Sequence, residues 1–181
     1  MKDRVILDLC GGTGAWSAPY ARKDYDVRII TLPEDVRVLE YIGDRPVHGI
    51  LCAPPCTVFS NSGARWPRTR EEILEALSVA DACLRIVMMN RPKWWALENP
   101  IGKLKKYLGP ERFKFHPCDY GDPYTKLTLL WGEFNIPRFK RVKPTEGSKM
   151  HLNYGGKSER TKRERSITPA GFAKAFCEAN P

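Results

Sequence analysis

Residues 4–17 read RVILDLCGGTGAWS, and this stretch decides the fold. Its first six residues form a short apolar run with Asp8 inside it, which is typical of a buried strand. The glycines that follow predict a tight turn, and a helix is expected to begin at about residues 15–17. A strand, a glycine turn and a helix in this order are typical of the first unit of a parallel α/β sheet.

The rest of the chain repeats this alternation. Further strands are predicted at residues 27–31, 49–53, 94–98, 113–117 and 127–131. A long helix is expected over residues 69–90, because Thr69 and Glu72 form a capping box and apolar residues recur at helical spacing. We therefore predict an α/β fold with a mostly parallel, doubly wound sheet in a single domain, whose ligands bind at the carboxyl ends of the strands.

Composition and charge narrow the classes of partner. The chain has 30 Lys and Arg against 21 Asp and Glu, a formal net charge of +9, which favours nucleic acid as the partner. We expect no membrane association, because no apolar run is long enough to span a bilayer. The six cysteines include no CxxC pair, which is typical of a reduced, intracellular protein.

The pattern changes after residue 136. Residues 1–136 are expected to form the core. Residues 137–166 are basic, which is typical either of a nucleic-acid-binding arm or of a solvated surface loop. A last helix within residues 167–181, with Thr168 as N-cap and Pro169 at its first position, is expected to dock on the core.

The glycine turn is a candidate cofactor site, because glycines after a strand let a ligand approach the backbone closely. It lacks the full G-x-G-x-x-G pattern of dinucleotide sites. The shorter stretch Gly11–Gly14 suits a ligand without a pyrophosphate, such as S-adenosylmethionine. A purely structural turn is the alternative.

Three further residues carry groups suited to catalysis. Cys56 follows two prolines that stiffen a turn at a strand end, and a thiol there can act as a nucleophile when its pKa is lowered. Glu98 ends a buried strand, where desolvation raises the pKa of a carboxyl group. Lys126 could hold a phosphate or a pyrimidine carbonyl. An inert thiol, a structural carboxylate and a plain turn are the alternatives.

A metal site is the competing interpretation of the cysteines. His48, Cys52 and Cys56 recur at every fourth residue, which resembles the spacing of metal ligands. That spacing brings side chains together on a helix, whereas this segment predicts a strand followed by two prolines. No fourth ligand is evident, so we expect no metal ion.

In this order, the motifs resemble those of the cytosine-C5 DNA methyltransferase family, and especially its small, phage-encoded members. Residues 8–14 (DLCGGTG) match the family's cofactor loop, and residues 54–60 (PPCTVFS) match its nucleophile loop. Residues 98–99 match its Glu-Asn motif, and residues 120–123 match the start of its Gln-x-Arg-x-Arg region. The resemblance covers roughly residues 4–132.

The resemblance implies a Rossmann-like class I methyltransferase that transfers a methyl group from S-adenosylmethionine to carbon 5 of cytosine in DNA. It implies that Cys56 adds to carbon 6 of the base while Glu98 binds or protonates N3. Residues 1–136 would be the catalytic core, and duplex DNA would be bound with the target base flipped out. The family also implies the cytoplasm of a bacterial host and a role such as restriction-modification.

The motifs and the resemblance together assign three groups of residues. The catalytic residues are Cys56, Glu98 and Lys126. The cofactor-binding residues are Asp8, Leu9, Cys10, Gly11, Gly12, Thr13, Gly14, Trp16, Glu34, Asp35 and Pro54. The nucleic-acid-binding residues are Ser60, Arg65, Arg68, Arg70, Tyr124 and Thr128.

The sequence departs from the family in three places. Residues 30–34 lack an acid at the usual ribose-binding position, so either Glu34 takes that contact from a shifted position or the contact is lost. Asp35 resembles the family's adenine-side contact and could exchange roles with Glu34. Thr128 stands where the family has the second Arg, which holds the base carbonyl, and Lys126 could replace it. The basic stretch is too short for a full target-recognition domain. This predicts loose sequence specificity, a short recognition site or a partner subunit that reads the sequence.

Two other functions stay open. The same chemistry could act on RNA, single-stranded DNA or a nucleotide, which the short recognition region favours. The chain could also be a catalytically weak, methyltransferase-like module that binds nucleic acid or protein, which the replaced Arg favours.

Overall fold

The computed structural model describes residues 3–39, 45–61, 66–149 and 158–181. Its strands are β1 (Val5–Leu9), β2 (Asp26–Ile30), β3 (Val47–Cys52), β4 (Trp94–Pro100), β5 (Phe113–Phe115) and β6 (Thr128–Glu133). Its helices are α1 (Ala18–Ala21), α2 (Arg70–Asn90), α3 (Lys105–Leu108), α4 (Glu159–Ser166) and α5 (Ala170–Ala179), and a 3₁₀ helix covers Pro117–Tyr120. Among these helices, none has both the length and the apolar composition needed to cross a bilayer.

The six strands form one mixed sheet in the order β2-β1-β3-β4-β6-β5. Strands β2, β1, β3 and β4 run parallel, whereas β6 is antiparallel to both of its neighbours, β4 and β5. The α/β class and the late strand pair predicted from the sequence are confirmed. Because β6 runs backwards, its first residues lie at the same edge as the carboxyl ends of the parallel strands.

Each face of the sheet has its own apolar core. Alternating residues of β1 show the division, since side chains point to opposite faces of a strand. Leu7 packs with Cys83 and Ile86 of α2, whereas Ile6 belongs to the cluster that contains Phe172 of α5. All five of these side chains are fully buried, and each large one contributes about 1.5–3 kcal/mol to stability.

Helix α2 begins at the predicted capping box. The backbone N of Glu72 donates to Oγ1 of Thr69 at 3.2 Å, and the backbone N of Thr69 donates to Oε2 of Glu72 at 2.9 Å. These two bonds satisfy backbone donors that a bare helix start would leave free. The helix ends at Asn90, where Arg91 takes a left-handed conformation.

Helix α5 is held by aromatic rings. Trp16, in the turn after β1, lies 6.0 Å from Phe172 and 5.5 Å from Phe176, measured between ring centroids. Phe115 of β5 stacks on Phe172 at 3.9 Å. The helix begins one residue later than predicted, because Pro169 has an extended backbone.

Part of the basic stretch is helical rather than irregular. Residues 137–148 form neither a helix nor a strand, but α4 covers the end of the stretch for which the sequence predicts a loop or an arm. Its start is capped, because the backbone N of Thr161 donates to Oγ of Ser158 at 3.2 Å.

Candidate active site

A cavity of about 90 Å³ lies at the edge of the sheet where the parallel strands end. Its walls come from the turns after β1 and β3, the end of β4, the segment before β6, the end of α4 and the segment that joins α4 to α5. The topology therefore brings together the motifs that the sequence analysis singled out, as expected for ligand sites in open α/β sheets.

Asp8 forms the inner wall of this cavity. Oγ of Ser17 donates to its Oδ2 at 2.5 Å, but its buried Oδ1 has no hydrogen-bond partner among the described residues. Burial raises the pKa of Asp8 to about 6, against the hydrogen bonds from Ser17 that lower it. A carboxylate oxygen without a donor, inside a cavity, fits a ligand that carries an ammonium group.

The glycine turn presents backbone rather than side chains to the cavity. Cys10 and Gly12 both have positive φ, at 58° and 55°, which curls the backbone at the carboxyl end of β1. A Cβ on Gly11 would lie 2.5 Å from Cγ of Asp8, so a larger residue there would displace the carboxylate. Cys10, Gly11, Gly12 and Thr13 all line the cavity.

Cys56 faces the same cavity from the turn after β3. Its own carbonyl accepts from the backbone N of Phe59 at 3.0 Å and of Ser60 at 2.8 Å. The buried side chain of Asn99 donates from Nδ2 to the carbonyl of Pro54 at 3.0 Å, which ties the Pro-Pro-Cys turn to β4. Hydrogen bonds to the carbonyls of Pro54 and Cys56 thus fix the turn that carries the thiol.

The charges around Cys56 oppose one another. Burial raises the pKa of the Cys56 thiol and the carboxylate of Glu98 raises it further, whereas Lys126 and Arg165 lower it. The net pKa is raised, not lowered, so the thiol is protonated at neutral pH and has to lose its proton when it reacts. Burial also raises the pKa of Glu98, as the sequence predicted, with Lys126 opposing the shift.

Lys126 connects the cavity to α4. Its Nζ donates to the backbone carbonyl of Arg165 at 2.9 Å. Arg165, Ser166 and Thr168 line the cavity, and the sequence analysis assigned none of them to the site. The high charge of this stretch was the available signal, but charge does not indicate which residues fold over a pocket.

Four of the assigned cofactor residues do not reach the cavity. The side chain of Leu9 is fully buried in the core, and Gly14 is buried behind the turn. Glu34 is exposed, and Oδ2 of Asp35 accepts from Nε of Arg37 at 2.9 Å. That arginine lowers the pKa of Asp35 to about 2. Trp16 and Pro54, in contrast, line the cavity.

Of the arginines assigned to phosphate contacts, Arg68 and Arg70 do not line the cavity. Arg65 falls outside the described residues. Arg68 donates to Oε1 of Glu72 at 3.3 Å and to the carbonyl of Thr57 at 3.4 Å. Arg70, the first residue of α2, is exposed.

The other three residues assigned to nucleic acid are buried. Ser60 forms an isolated bridge with Gly102. Thr128 donates from Oγ1 to the carbonyl of Lys126 at 3.1 Å, and burial raises the pKa of Tyr124 to about 12. These three side chains are packed within the protein, so contact between them and nucleic acid stays a prediction.

A larger, open depression of about 520 Å³ lies elsewhere on the molecule, beside Trp94 and Phe134. Trp94 begins β4 and Glu98 is near its end, so the depression lies towards the opposite edge of the sheet from Cys56. Its ionisable residues are Lys93, Arg112 and Glu133, and no cysteine lines it. We place the site at the smaller cavity because the candidate catalytic groups converge there.

Comparison with models of protein families gives no match, and comparison with curated proteins finds no relative. Among solved structures, the chain resembles a prophage-encoded protein of E. coli that carries a provisional assignment as a DNA modification methyltransferase. The TM-score is 0.55 at 20% sequence identity, and the match covers 78% of this chain and 52% of that protein. The chain thus spans about half of that protein's length. The likeness shows that the two chains share an α/β fold.

Proposed function

We propose that this protein methylates carbon 5 of cytosine in DNA, with S-adenosylmethionine as the methyl donor. The observation that carries the proposal is that Cys56, Glu98 and Lys126 line one cavity beside the glycine turn of β1. The order of the motifs and the methyltransferase-like fold support it. The net charge of +9 favours a polyanionic substrate.

The residues around the glycine turn fit the amino-acid end of this cofactor. The unpaired Oδ1 of Asp8 would accept from its ammonium group, and the backbone of Gly11 and Gly12 would lie along it. When bound, S-adenosylmethionine would supply an electrophilic methyl group. The cavity of about 90 Å³ is smaller than typical ligand pockets, which are roughly 300–1,000 Å³. The segment from Arg165 to Thr168 would therefore move outward as ligands enter.

The side chains have the chemistry that the reaction needs. Carbon 5 of cytosine is a poor nucleophile until sulfur is bonded to carbon 6. The Cys56 thiol gives its proton to solvent as Sγ forms the bond to carbon 6, the C5–C6 electron pair shifts towards N3, and a protonated Glu98 donates its proton there. The raised pKa of Glu98 favours the protonated form that this role requires. After the methyl group has bonded to carbon 5, solvent takes the proton from carbon 5, and the electrons of that C–H bond re-form the C5–C6 double bond as the S–C6 bond breaks. N3 returns its proton to Glu98, and the departing thiolate takes up a proton from solvent.

The position of the thiol inside a cavity requires an extruded base. A cytosine within a duplex cannot reach Cys56, so the target nucleotide would be flipped out of the helix. Exposed cations near the site would then contact phosphates. Among the described residues, the exposed Arg70 at the start of α2 is such a cation.

Covalent trapping tests the proposal. Fluorine at carbon 5 cannot leave as a cation, so duplex DNA with 5-fluorocytosine and the cofactor should leave the protein covalently bound to DNA. We expect Cys56→Ser to abolish the adduct and Glu98→Gln to slow it about 100-fold or more. Cys118→Ser, in the 3₁₀ helix away from the cavity, is the matched control and should form the adduct normally.

Transfer of labelled methyl groups to duplex DNA, single-stranded DNA, RNA and dCMP identifies the substrate. Bisulfite sequencing of DNA from cells that express the protein locates the modified base. An adduct formed by the Cys56→Ser variant, or methyl transfer to a base other than cytosine, would contradict the proposal.

A non-catalytic, nucleic-acid-binding role is the second candidate. The observation that favours it is the raised pKa of Cys56, which keeps the thiol protonated. Wild-type protein that binds DNA but forms no adduct and transfers no methyl group would support this role instead.

A further inference from the structure

Three lysines lie close together in the chain just after β4 ends. Lys103, Lys105 and Lys106 are exposed, and none of the three forms an ion pair within the described ranges of the chain. The backbone N of Lys106 donates to the carbonyl of Lys103 at 2.9 Å, which closes a turn. Leu104 is buried in the core and anchors this turn. The three lysines, which we call the lysine cluster, therefore present their charges to solvent from a fixed base.

The lysine cluster is hydrogen-bonded to the loop of residues 54–61 that carries the candidate nucleophile, which we call the Cys56 loop. The backbone N of Lys103 donates to the carbonyl of Phe59 at 2.7 Å. The backbone N of Asn61 donates to the carbonyl of Ile101 at 3.0 Å. The two segments are thus paired along their backbones at the sheet edge that holds the cavity.

Close packing fixes the lysine cluster relative to the Cys56 loop. A Cβ on Gly102 would overlap the carbonyl oxygen of Phe59, so the two backbones can approach this closely only because residue 102 is glycine. The ring of Tyr107 in α3 meets the ring of Phe59 edge-on, at 5.9 Å between centroids. A ligand held by the lysine cluster would therefore lie at a set position beside the loop.

Positive charge is concentrated in these two parts of the sequence. Residues 54–70 contain three arginines and no Asp or Glu, and residues 100–110 contain the three lysines and no Asp or Glu. Adjacent exposed ammonium groups without acidic neighbours attract a polyanion, and lysine binds phosphate as a point charge. A nucleic-acid backbone carries regularly spaced phosphates, so each lysine of such a cluster can neutralise one of them.

We infer that Lys103, Lys105 and Lys106 form a phosphate-binding surface that holds the DNA backbone beside the Cys56 loop. This inference rests on the proposed function for the identity of the partner. Pro100 lines the cavity, and Lys103 follows it closely in the chain. A flipped nucleotide stays joined to its strand through the phosphates on either side of it, so cations at this place hold the strand while the base is in the cavity. Contacts to phosphates carry no base information, so the surface adds affinity for any sequence.

Charge-matched variants test this surface. The cluster variant combines Lys103→Gln, Lys105→Gln and Lys106→Gln, and the control variant makes the same change at three exposed lysines elsewhere, Lys23, Lys93 and Lys114. Fluorescence anisotropy with one duplex between about 50 and 200 mM salt measures the affinity of each protein for DNA. We expect the cluster variant to bind about 10- to 100-fold more weakly at the lower salt, and its slope of log affinity against log salt to be smaller by roughly 2–3. The control variant should stay within about threefold of wild type, because salt screens charges that lie far from the DNA.

The thermal unfolding midpoint checks that the cluster variant is folded. If the midpoint falls, Lys106→Gln alone provides the test and should reduce the slope by about 1. Equal losses of affinity in the cluster and control variants would overturn the inference, and so would an unchanged salt slope. Unchanged binding to duplex DNA with weaker binding to RNA or to anionic vesicles would also overturn it.

Failure of this inference is distinguishable from failure of the proposed function. If wild type forms the adduct with 5-fluorocytosine DNA and the cluster variant binds DNA as tightly as wild type, only the phosphate-binding surface is refuted. If the cluster variant loses affinity for DNA as expected but wild type forms no adduct, the surface is supported and the proposed methylation is refuted.

Discussion

The hydroxyl of Ser17 donates to Oδ2 of Asp8 at 2.5 Å, while Oδ1 of the same carboxylate is buried with no partner in the described part of the chain. A buried acceptor without a donor costs about 1–3 kcal/mol, and more when it is charged. Asp8 therefore lowers the stability of the ligand-free fold at neutral pH. A residue of this kind is expected where binding, rather than folding, requires it.

Replacement of Asp8 by Asn should separate stability from binding. Asn removes the buried charge and can still accept from Ser17. We expect the Asp8→Asn variant to unfold in urea at pH about 8 with a free energy at least equal to that of wild type, while S-adenosylhomocysteine binds at least about tenfold more weakly by calorimetry. A large loss of stability, or unchanged affinity, would contradict this view of Asp8.

The stability of the protein should depend on pH because the carboxyl group of Asp8 has a raised pKa in the folded state. Its pKa is 3.8 as the reference value and about 6 in the folded protein. As the pH rises from 3.8, the unfolded chain loses this proton first, so Asp8 favours folding below that value and its contribution is lost by pH about 6. The two pKa values differ by about 2, so Asp8 changes the free energy of unfolding by about 3 kcal/mol between the two ends of this pH range. Urea unfolding across this pH range should show that the free energy of unfolding of the wild type decreases relative to that of Asp8→Asn as the pH rises. A constant difference between the two proteins would refute the raised pKa of Asp8.

Removal of the ammonium of Lys126 should release α4. The Lys126→Met variant loses the bond from this side chain to the carbonyl of Arg165 on that helix. Loss of about 1–2 kcal/mol of local stability predicts that trypsin cleaves after the exposed Arg160 and Arg163 about tenfold faster. Lys114→Met, an exposed change on β5, is the control. Equal cleavage rates in the two variants would show that other contacts hold α4.

Asn99 should act as a positioning residue for the nucleophile. Asn99→Ala leaves the carbonyl of Pro54 without its donor, which costs about 1–3 kcal/mol. We expect the rate of adduct formation at saturating DNA to fall about tenfold with little change in the affinity for DNA. Asn90→Ala removes a similar side chain-to-backbone bond at the far end of α2 and should leave that rate unchanged. A change in DNA affinity alone would show that Asn99 does not position the thiol.

The sequence allowed the strands and the three candidate catalytic residues to be predicted because they depend on local signals. The apolar run of β1, the capping box at Thr69 and the prolines before Cys56 each determine structure within a few residues. In a sheet of this topology the strand ends meet at one edge, so Cys56 and Glu98 were expected to converge, and both line the cavity.

The closing of the cavity by α4 depends on contacts between distant residues and could not be predicted in this way. The helix is almost entirely polar, so it has no apolar periodicity that would indicate which side faces inward. Its position depends on Lys126, which lies far from it in sequence. The raised pKa of Cys56 likewise results from burial by segments that a local pattern does not reveal.

The aromatic contacts of Trp16 have a consequence for protein synthesis. The ring follows β1 in the chain, but its neighbours Phe172 and Phe176 belong to α5, which leaves the ribosome after every strand of the sheet. A nascent chain therefore carries the tryptophan uncovered while the sheet is being made, and this half of the core closes after translation of α5. Ligand binding at the cavity would accordingly require the synthesis of α5, and ribosome-bound intermediates stalled before α5 should be sensitive to aggregation.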